Sequence, residues 1–384
     1  MTAEVQITRK GEKRWRAGHP WIFRSDVVAP EPDQAPAPGA LVRVRGGRSK
    51  LGWAAWSSTS LMAVRRVPLP DDLDPEAGWL ALVDAAIERR TGRGTTTRLI
   101  NGDPDGLPGL VVDRYGPGIS IQALSQTAFQ RLDAVVARLV DRFAPQVVVL
   151  RNDVKVTRHE ELAYEKRLLL GDDPQVEAPI GRLSIAFDLM EGQKTGGFLD
   201  QTDNRLAAAR FLSGDVLDCF SYDGGFSLQL AARGAQVTAV DVSEPALERL
   251  RCNAERNGLA IRTVGANVFD QLRAFEAEGR QFDGIVLDPP AFCPNRKAVP
   301  AGRRAYKEIN LRALKLLKPG GRLVSWTCSA HMTRPDFEAV VAEAAADARR
   351  WTRVVERRSA APDHPSLLTA PETDYLKGLH LQVD

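Results

Sequence analysis

The chain has 384 residues, 43% of them hydrophobic and 26% charged, with a net charge of +3; this composition is typical of a globular protein of two or three domains. No apolar run reaches the roughly 18 residues that a transmembrane helix needs, and residues 1–18 lack the apolar core of a secretory signal. The four cysteines form no CxxC pair, which predicts a reduced, cytoplasmic protein without a metal site or a disulfide framework.

The first 66 residues are unusually basic. They hold twelve Lys or Arg and five Asp or Glu, a balance of +7, so the remainder of the chain balances at −4. This distribution is typical of a polyanion-binding appendage, although a solvated surface has the same pattern. The segments LVRVR (41–45) and LMAVR (61–65) are interpreted as short alternating strands, with glycines and prolines between them. The block is therefore predicted to be a small all-β module.

The block from about 76 to 187 mixes two periodicities. Helices are predicted at 79–90 and 129–143. Strands are predicted at 110–113, 119–124, 147–150 and 183–187. These elements predict a central α+β domain, and no motif within it requires catalysis.

The block from about 190 to the end alternates strands with helices. Strands are predicted at 216–220, 236–241, 282–288 and 322–327. Helices are predicted from about 226, after the N-cap Ser243, and at 305–317. Repeated βα units predict a doubly wound, Rossmann-like parallel sheet, whose ligands bind beyond the carboxyl ends of the strands.

A glycine turn follows the first strand of this block. The segment DCFSYDGGF (218–226) begins with Asp218 and contains Gly224, and glycines at such a turn admit a ligand against the backbone. The next strand ends in Asp241, 23 residues after Asp218, near the spacing of an acid that binds ribose hydroxyls. The segment lacks GxGxxG, which disfavours NAD and favours a nucleoside without phosphates, such as S-adenosylmethionine. An ordinary strand-to-helix turn is the alternative.

A second motif, DPPAF (288–292), follows the fourth strand, where the diproline fixes the Asp288 carboxylate at the sheet edge. The fifth strand ends in TCS (327–329), and we expect Cys328 to lie beside Asp288 because these strands are neighbours in this fold. A thiolate that adds to carbon 6 of cytosine activates carbon 5 for methylation, while the acid holds N3 and the amino group. A small, inert side chain at the end of a strand is the alternative for Cys328.

The other cysteines are weaker candidates. Cys293 is a rival nucleophile, whereas Cys219 and Cys252 are predicted to lie in the core. A second enzyme hypothesis needs no cysteine, because Asp288 and Phe292 could bind the exocyclic amine of adenine or guanine. A third hypothesis is a non-catalytic rRNA-binding assembly factor, which requires the cofactor turn to be vestigial.

Three further groups of residues are open to two interpretations. The loop 192–201 could cover the adenosine or methionine end of a cofactor, or simply lead into a helix. His364 could line the base pocket or have a structural partner. Arg303, Tyr306 and Lys307 could meet phosphate or form a solvated surface.

Taken together, the motifs resemble the bacterial 23S rRNA cytosine-C5 methyltransferases that carry an N-terminal PUA domain. The resemblance rests on GHPWIF (18–23), DGLPGLVVDRY (105–115), GQKTGGFLDQTDNR (192–205), FSYDGGF (220–226), DPPAF (288–292), AYKEIN (305–310), TCSAHMT (327–333) and DHP (363–365). It implies a PUA-like RNA-binding domain at 1–70, a central α+β domain at 71–188 and a methyltransferase domain at 189–384. It also implies S-adenosylmethionine as cofactor, 23S rRNA as partner and no membrane association. It leaves homodimer formation open.

The resemblance also implies roles for individual residues. Cys328 matches the nucleophile and Asp288 the acid of the family. The motifs and the resemblance together predict a cofactor-binding set of Lys194, Thr195, Phe198, Asp200, Gln201, Arg205, Asp218, Phe220, Ser221, Gly224, Asp241, Asn267, Asp288 and Pro290. Asn267 stands where many methyltransferases have an Asp beside adenine, and its amide can still hydrogen-bond the exocyclic amine. Many relatives have Arg where this chain has Thr202, so no contact is predicted there.

Overall fold

The computed structural model describes residues 3–31 and 33–384, in which strands and helices follow one another along the whole chain. The strands are β1 (Glu4–Ile7), β2 (Trp21–Ile22), β3 (Leu41–Gly46), β4 (Ser49–Trp56), β5 (Val64–Val67), β6 (Thr96–Asn101), β7 (Leu110–Tyr115), β8 (Gly118–Ala123), β9 (Val147–Arg151), β10 (Lys166–Leu170), β11 (Gln175–Ile180), β12 (Leu183–Asp188), β13 (Asp215–Cys219), β14 (Gln236–Asp241), β15 (Ile261–Gly265), β16 (Phe282–Leu287), β17 (Leu317–Thr327), β18 (Thr352–Arg358) and β19 (Lys377–Val383). The helices are α1 (Arg9–Arg16), α2 (Pro75–Glu88), α3 (Gln126–Gln130), α4 (Leu132–Phe143), α5 (Thr202–Phe211), α6 (Gly225–Ala231), α7 (Glu244–Arg256), α8 (Val268–Ala277), α9 (Val299–Leu316) and α10 (Arg334–Ala348).

These elements divide into two compact units. The first unit comprises the chain through Pro179 together with Ala186–Leu199 and Pro362–Pro371. The second unit comprises Ile180–Ile185, Asp200–Ala361 and Glu372–Asp384. The three-domain division at residues 70 and 188 remains a prediction.

The N-terminal module of the first unit is a five-stranded sheet in the order β1-β3-β4-β5-β2. Its core includes Trp15, Ile22 and Trp56, all of them buried. Trp15 comes from α1, a helix that the alternating pattern did not predict, because its sequence RKGEKRWR has no other large apolar residue. The last strand begins at Val64 rather than at Leu61, which lies 73% exposed in the preceding turn.

The second sheet of the first unit has the order β10-β9-β8-β7-β6. Helices α2 and α4 contribute buried side chains to its core, among them Trp79, Val83 and Leu139. The predicted helix 129–143 is in fact two helices that meet at Arg131, whose φ of −103° and ψ of 9° are not helical. This sheet therefore confirms the mixed α and β character of the block.

The second unit is built on a seven-stranded sheet in the order β15-β14-β13-β16-β17-β19-β18. The first five strands of this order are parallel, and β19 runs antiparallel between β17 and β18. The sheet confirms the predicted Rossmann-like fold. The segment KPGG (318–321) forms a register irregularity early in β17.

None of the helices in the described part of the chain is both long and apolar enough to cross a membrane.

Candidate active site

The first site residue is Asp218, which lies near the carboxyl end of β13 and is only 1% exposed. Its Oδ2 accepts hydrogen bonds from the backbone N–H of Ser227 at 3.0 Å and from the Ser227 hydroxyl at 2.6 Å. Burial raises the pKa of Asp218 to about 7; the Ser227 hydrogen bonds lower it, and the negative charge of Asp288 raises it further. The carboxylates of Asp218 and Asp288 are therefore close enough for the charge of one to affect the pKa of the other.

The turn after β13 has an unusual backbone. Phe220 and Tyr222 adopt left-handed conformations with φ of 62° and 49°, followed by Gly224 at 85°. Left-handed non-glycine residues are strained and cluster at functional sites. Asp241 at the end of β14 holds the turn, because its Oδ2 accepts from the Tyr222 N–H at 2.9 Å. The Asp241 carboxylate thus connects the two strand ends that the sequence analysis singled out.

Several buried polar atoms at this turn, one of them from α5, have no hydrogen-bond partner among the described residues. They include Asp218 Oδ1, Ser221 Oγ and Arg205 Nε. The Arg205 side chain lies over Gly225, where a Cβ would overlap its guanidinium. Buried polar groups are normally hydrogen-bonded, so unused donors and acceptors at one turn fit a polar ligand. These atoms fit the amino-acid end of S-adenosylmethionine, which carries both an ammonium and a carboxylate.

Two residues flank the ribose-binding acid that was predicted. Asn267 is exposed and caps α8, since its Oδ1 accepts from the N–H of Phe269 at 2.9 Å. Val242, directly after Asp241, is 76% exposed. Val242 was not among the predicted residues, although an apolar residue immediately after the acid of a strand end was a usable signal.

An aromatic cluster lies at the same edge of the sheet. The ring centroids of Phe220, Phe269 and Phe292 are 5.9–6.4 Å apart. Phe292 also packs against Tyr306 at 4.8 Å. Phe269 was not predicted, because it comes from the first turn of α8 and only the tertiary fold brings it here. The cluster places apolar surface beside the turn.

Cys328 and Asp288 follow neighbouring strands. Leu287 pairs with Ser325 in parallel β16 and β17, so the predicted neighbourhood of these strands is observed. The Cys328 sulfur lies 3.9 Å from the carbonyl oxygen of Pro289. The thiol is partly exposed, whereas Pro290 projects from the diproline as an exposed residue. The catalytic roles of Cys328 and Asp288 remain predictions.

Gln201 contacts the acid of the diproline motif. Its Nε2 donates to Asp288 Oδ1 at 3.0 Å. Its Oε1 accepts from Asn204 Nδ2 at 2.7 Å, and Asn204 Oδ1 accepts from Arg358 Nε at 2.7 Å. Gln201 was predicted to be a cofactor residue, and its observed partner is the carboxylate of Asp288.

The other cysteines differ from Cys328. Cys293 is buried, its sulfur packs against Gly302, and burial raises the pKa of its thiol. Cys219 is also buried, and burial raises its pKa further still. The prediction that Cys252 is a core residue is wrong: it is exposed on α7, because the buried face of that helix is formed by other side chains, including Leu250. Neither buried thiol is suited to act as a nucleophile.

The three residues beyond the diproline loop are occupied by structural contacts. Tyr306 is fully buried and hydrogen-bonds with Ser329 Oγ at 2.9 Å. Arg303 pairs with Asp336 at 3.3 Å, and Lys307 pairs with an acid of the same helix, α10, at 2.9 Å. These contacts give no support to a phosphate-binding role.

Some of the predicted residues belong to the first unit. Thr195 is buried there, where its hydroxyl donates to Asp113 Oδ2 at 2.5 Å. The Lys194 ammonium lies 4.6 Å from the centroid of the Phe198 ring. His364 is also buried in this unit, with Nδ1 2.8 Å from Asp363 Oδ1, which supports its structural interpretation. The cofactor roles of the three loop residues remain predictions.

Asp200, in the second unit, belongs to the same predicted set. Its Oδ2 accepts from the Tyr375 hydroxyl at 2.7 Å. Within the described ranges no three His, Cys, Asp or Glu side chains converge as metal ligands.

Two protein families match this chain and identify its class. The family described as S-adenosylmethionine-dependent methyltransferase matches residues 175–379, and the PUA-like domain family matches residues 5–67. The chain is therefore an S-adenosylmethionine-dependent methyltransferase with a PUA-like N-terminal domain. It belongs to the family of ribosomal RNA large subunit methyltransferase I.

That assignment rests on relatives that match along the whole chain. The protein of this name from Shewanella amazonensis is 38% identical over 397 residues, covering 100% of both chains. The one from Photobacterium profundum is 36% identical over 392 residues, covering 98% of each. Among solved structures, the SMU.776 methyltransferase complexed with SAH has a TM-score of 0.82 at 20% identity, covering 99% of this chain and 100% of that one. This structural likeness supports the fold.

Proposed function

We propose that this chain methylates carbon 5 of a cytosine in 23S rRNA, with Cys328 as a covalent nucleophile and Asp288 as the acid that holds the base. The observation that carries the proposal is the position of the Cys328 sulfur, 3.9 Å from the carbonyl oxygen of Pro289 in the diproline motif. The large-subunit rRNA as substrate is supported by the printed name of the relatives that match the whole chain.

The proposed chemistry needs a thiol and a carboxylic acid at one site. The Cys328 thiolate adds to carbon 6 of cytosine, and the electron pair of the C5–C6 double bond moves toward carbon 5. Asp288 holds N3 and the exocyclic amine as charge develops on the ring. Carbon 5 then takes up the methyl group, and the electron pair of the broken S–CH3 bond would remain on the sulfur of S-adenosylhomocysteine (SAH). A base removes the carbon-5 proton, and the electron pair of that C–H bond re-forms the double bond as the S–C6 bond breaks and restores the thiolate.

S-adenosylmethionine supplies the electrophilic methyl group when it is bound. The unused atoms Asp218 Oδ1 and Ser221 Oγ would bind its amino-acid end, and Asp241 would bind its ribose hydroxyls. The exposed Val242 and the aromatic cluster would cover its adenine. The loop residues of the first unit remain candidates for the same cofactor.

The remaining parts of the proposal concern organisation. We propose that residues 1–70 bind rRNA, that residues 71–188 form a central domain, and that residues 189–384 carry the reaction in the cytoplasm. Homodimer formation remains a prediction. Methylation of an exocyclic amine is less well supported, because Phe292 packs against Tyr306 within the aromatic cluster. A non-catalytic role requires a vestigial cofactor turn, whereas the residues of this turn are present.

The test uses two cysteine variants and a mechanism-based substrate. Cys328→Ala is expected to abolish methyl transfer to rRNA while retaining SAH binding, and Cys293→Ala, the matched control at a buried thiol, is expected to remain active. RNA with 5-fluorocytidine at the target is expected to trap a covalent adduct with the wild-type protein, because fluorine cannot leave as a proton does. Full activity of Cys328→Ala, together with no adduct, would favour the amine chemistry instead.

A further inference from the structure

A buried lysine lies at the start of β19, next to the strand that ends before Cys328. Lys377 is 4% exposed and pairs in register with Thr327, the residue before the cysteine. Its Nζ donates to the carbonyl oxygens of Ser329 and Tyr375, each at 3.2 Å. The ammonium is therefore held at the carbonyl of Ser329, the residue that follows the cysteine.

No carboxylate forms a direct ion pair with this ammonium within the described residues. Lys377 has no ion pair within 4.0 Å there, and Asp374, an acid that interacts with it electrostatically, pairs with Arg334 at 3.8 Å. Two of its three N–H groups are used by the carbonyls, and the third has no partner in the described part of the chain. An unpaired buried charge is costly, so its retention calls for an anion nearby.

Two negative groups favour the charged form of Lys377, namely Asp374 and, more weakly, the thiolate of Cys328. Burial lowers the pKa of Lys377, Asp374 raises it, Arg334 lowers it, and the Cys328 thiolate raises it. An interaction that favours the ammonium favours the thiolate equally, because electrostatic coupling between two sites is reciprocal. The ammonium and the sulfur therefore stabilise each other's charged form.

We propose that Lys377 is a positioning residue whose buried ammonium stabilises the thiolate of Cys328. This inference rests on the proposed function and names the group that prepares its nucleophile. A free cysteine is only a few per cent thiolate at neutral pH, whereas a neighbouring cation increases that fraction. Lys377 acts through the sulfur and does not touch the base.

The other groups around the thiol do not supply this charge. Tyr306 of α9 is buried, and burial raises the pKa of its hydroxyl, so it is neutral. Asp288 at the end of β16 is an acid whose negative charge opposes thiolate formation. Arg334 of α10 pairs with Asp374 and donates to the carbonyl oxygen of Arg358 and to the hydroxyl of Ser359. His331, three residues after the cysteine, is exposed.

The test measures thiol reactivity on the full chain, without RNA or cofactor. Iodoacetamide alkylation of Cys328 is followed by peptide mass spectrometry across pH, with the exposed Cys252 as an internal reference. In the wild type, alkylation of Cys328 is expected to be half-maximal at a lower pH than that of Cys252. Lys377→Gln is expected to raise the pH of half-maximal alkylation of Cys328 by about one unit. Below that pH, the alkylation rate of the variant is expected to be about tenfold lower than that of the wild type.

Two further variants separate charge from structure. Lys377→Arg keeps the charge and is expected to leave the alkylation profile of Cys328 near that of the wild type. Lys318→Gln removes a lysine from the opposite end of β17, where it pairs with Asp283 at 2.9 Å, and is expected to change nothing at the thiol. Thermal melting reports whether each variant is folded.

The outcomes are decisive in either direction. The inference is overturned if Cys328 in the wild type is alkylated at no lower pH than Cys252. This comparison needs only the wild-type protein, so it decides the matter even if Lys377→Gln does not fold. An unchanged Cys328 profile in folded Lys377→Gln overturns it as well. The methylation test remains separate: an active Cys328→Ala would refute the proposed function and leave the alkylation result standing.

Discussion

The side-chain amide of Gln201 donates to the carboxylate of Asp288 at 3.0 Å. The oxygen of the same amide is taken by Asn204, so its nitrogen is turned toward the acid. Gln201 is 3% exposed and Asn204 1%, which protects these hydrogen bonds from competing water. Residues from α5 and from the turn before it thus determine the orientation of a carboxylate that follows β16.

Replacing Gln201 tests this relationship. Gln201→Ala is expected to lower turnover about 10- to 100-fold, because a misplaced catalytic group is costly even when the chemistry is intact. SAH affinity, measured by calorimetry, is expected to be retained. A parallel loss of SAH affinity would instead identify Gln201 as a cofactor residue, as the sequence suggested.

The ionisation of Asp218 predicts a pH dependence of cofactor binding. Burial raises the pKa of Asp218 to about 7, so the carboxyl is protonated below that pH and ionised above it. Only the ionised form attracts an ammonium with full strength. SAH affinity is therefore expected to rise as the pH increases through 7 and to fall by up to about tenfold per pH unit below it. Asp218→Asn is expected to bind weakly with a flat profile, and a wild-type affinity that ignores pH between 6 and 8 would contradict this role.

A buried ion pair in the first unit predicts a large effect on stability. Arg65 donates to Glu160 at 2.6 Å, and their side chains are 8% and 0% exposed. Removing one partner leaves the other buried and unpaired, so Glu160→Ala is expected to cost about 3–5 kcal/mol of unfolding free energy. The control is Glu88→Ala, which breaks an exposed pair with Arg142 and is expected to change stability far less. Urea unfolding measures both, and equal effects would contradict the burial argument.

The basic N-terminal module predicts salt-dependent RNA binding. Arg48 and Lys50 are exposed at the turn between β3 and β4 and have no ion-pair partner among the described residues. If each meets a phosphate, the double variant Arg48→Gln with Lys50→Gln is expected to reduce the slope of log affinity against log salt by about two. Arg353→Gln, which removes a cation from β18, serves as the control. An unchanged slope in the double variant would place the RNA contacts elsewhere.

The sequence by itself determined much of the second unit. The predicted strand 236–241 coincides with β14, and the predicted neighbours that end in Asp288 and Cys328 are paired in the sheet. Local signals suffice there because a buried parallel strand is a short apolar run with chemistry at its end. The same logic failed for Cys252, since helix position alone does not reveal which face packs.

Only the tertiary structure decided the contacts between distant segments. Strand β19 inserts antiparallel between β17 and β18 and brings Lys377 beside Thr327 and Ser329, which no local pattern indicated. The Gln201–Asp288 hydrogen bond spans 87 residues, and Phe269 reaches the aromatic cluster from a separate helix. Periodicity reports which face of an element is buried, whereas the partner on that face depends on strand order and on long-range packing.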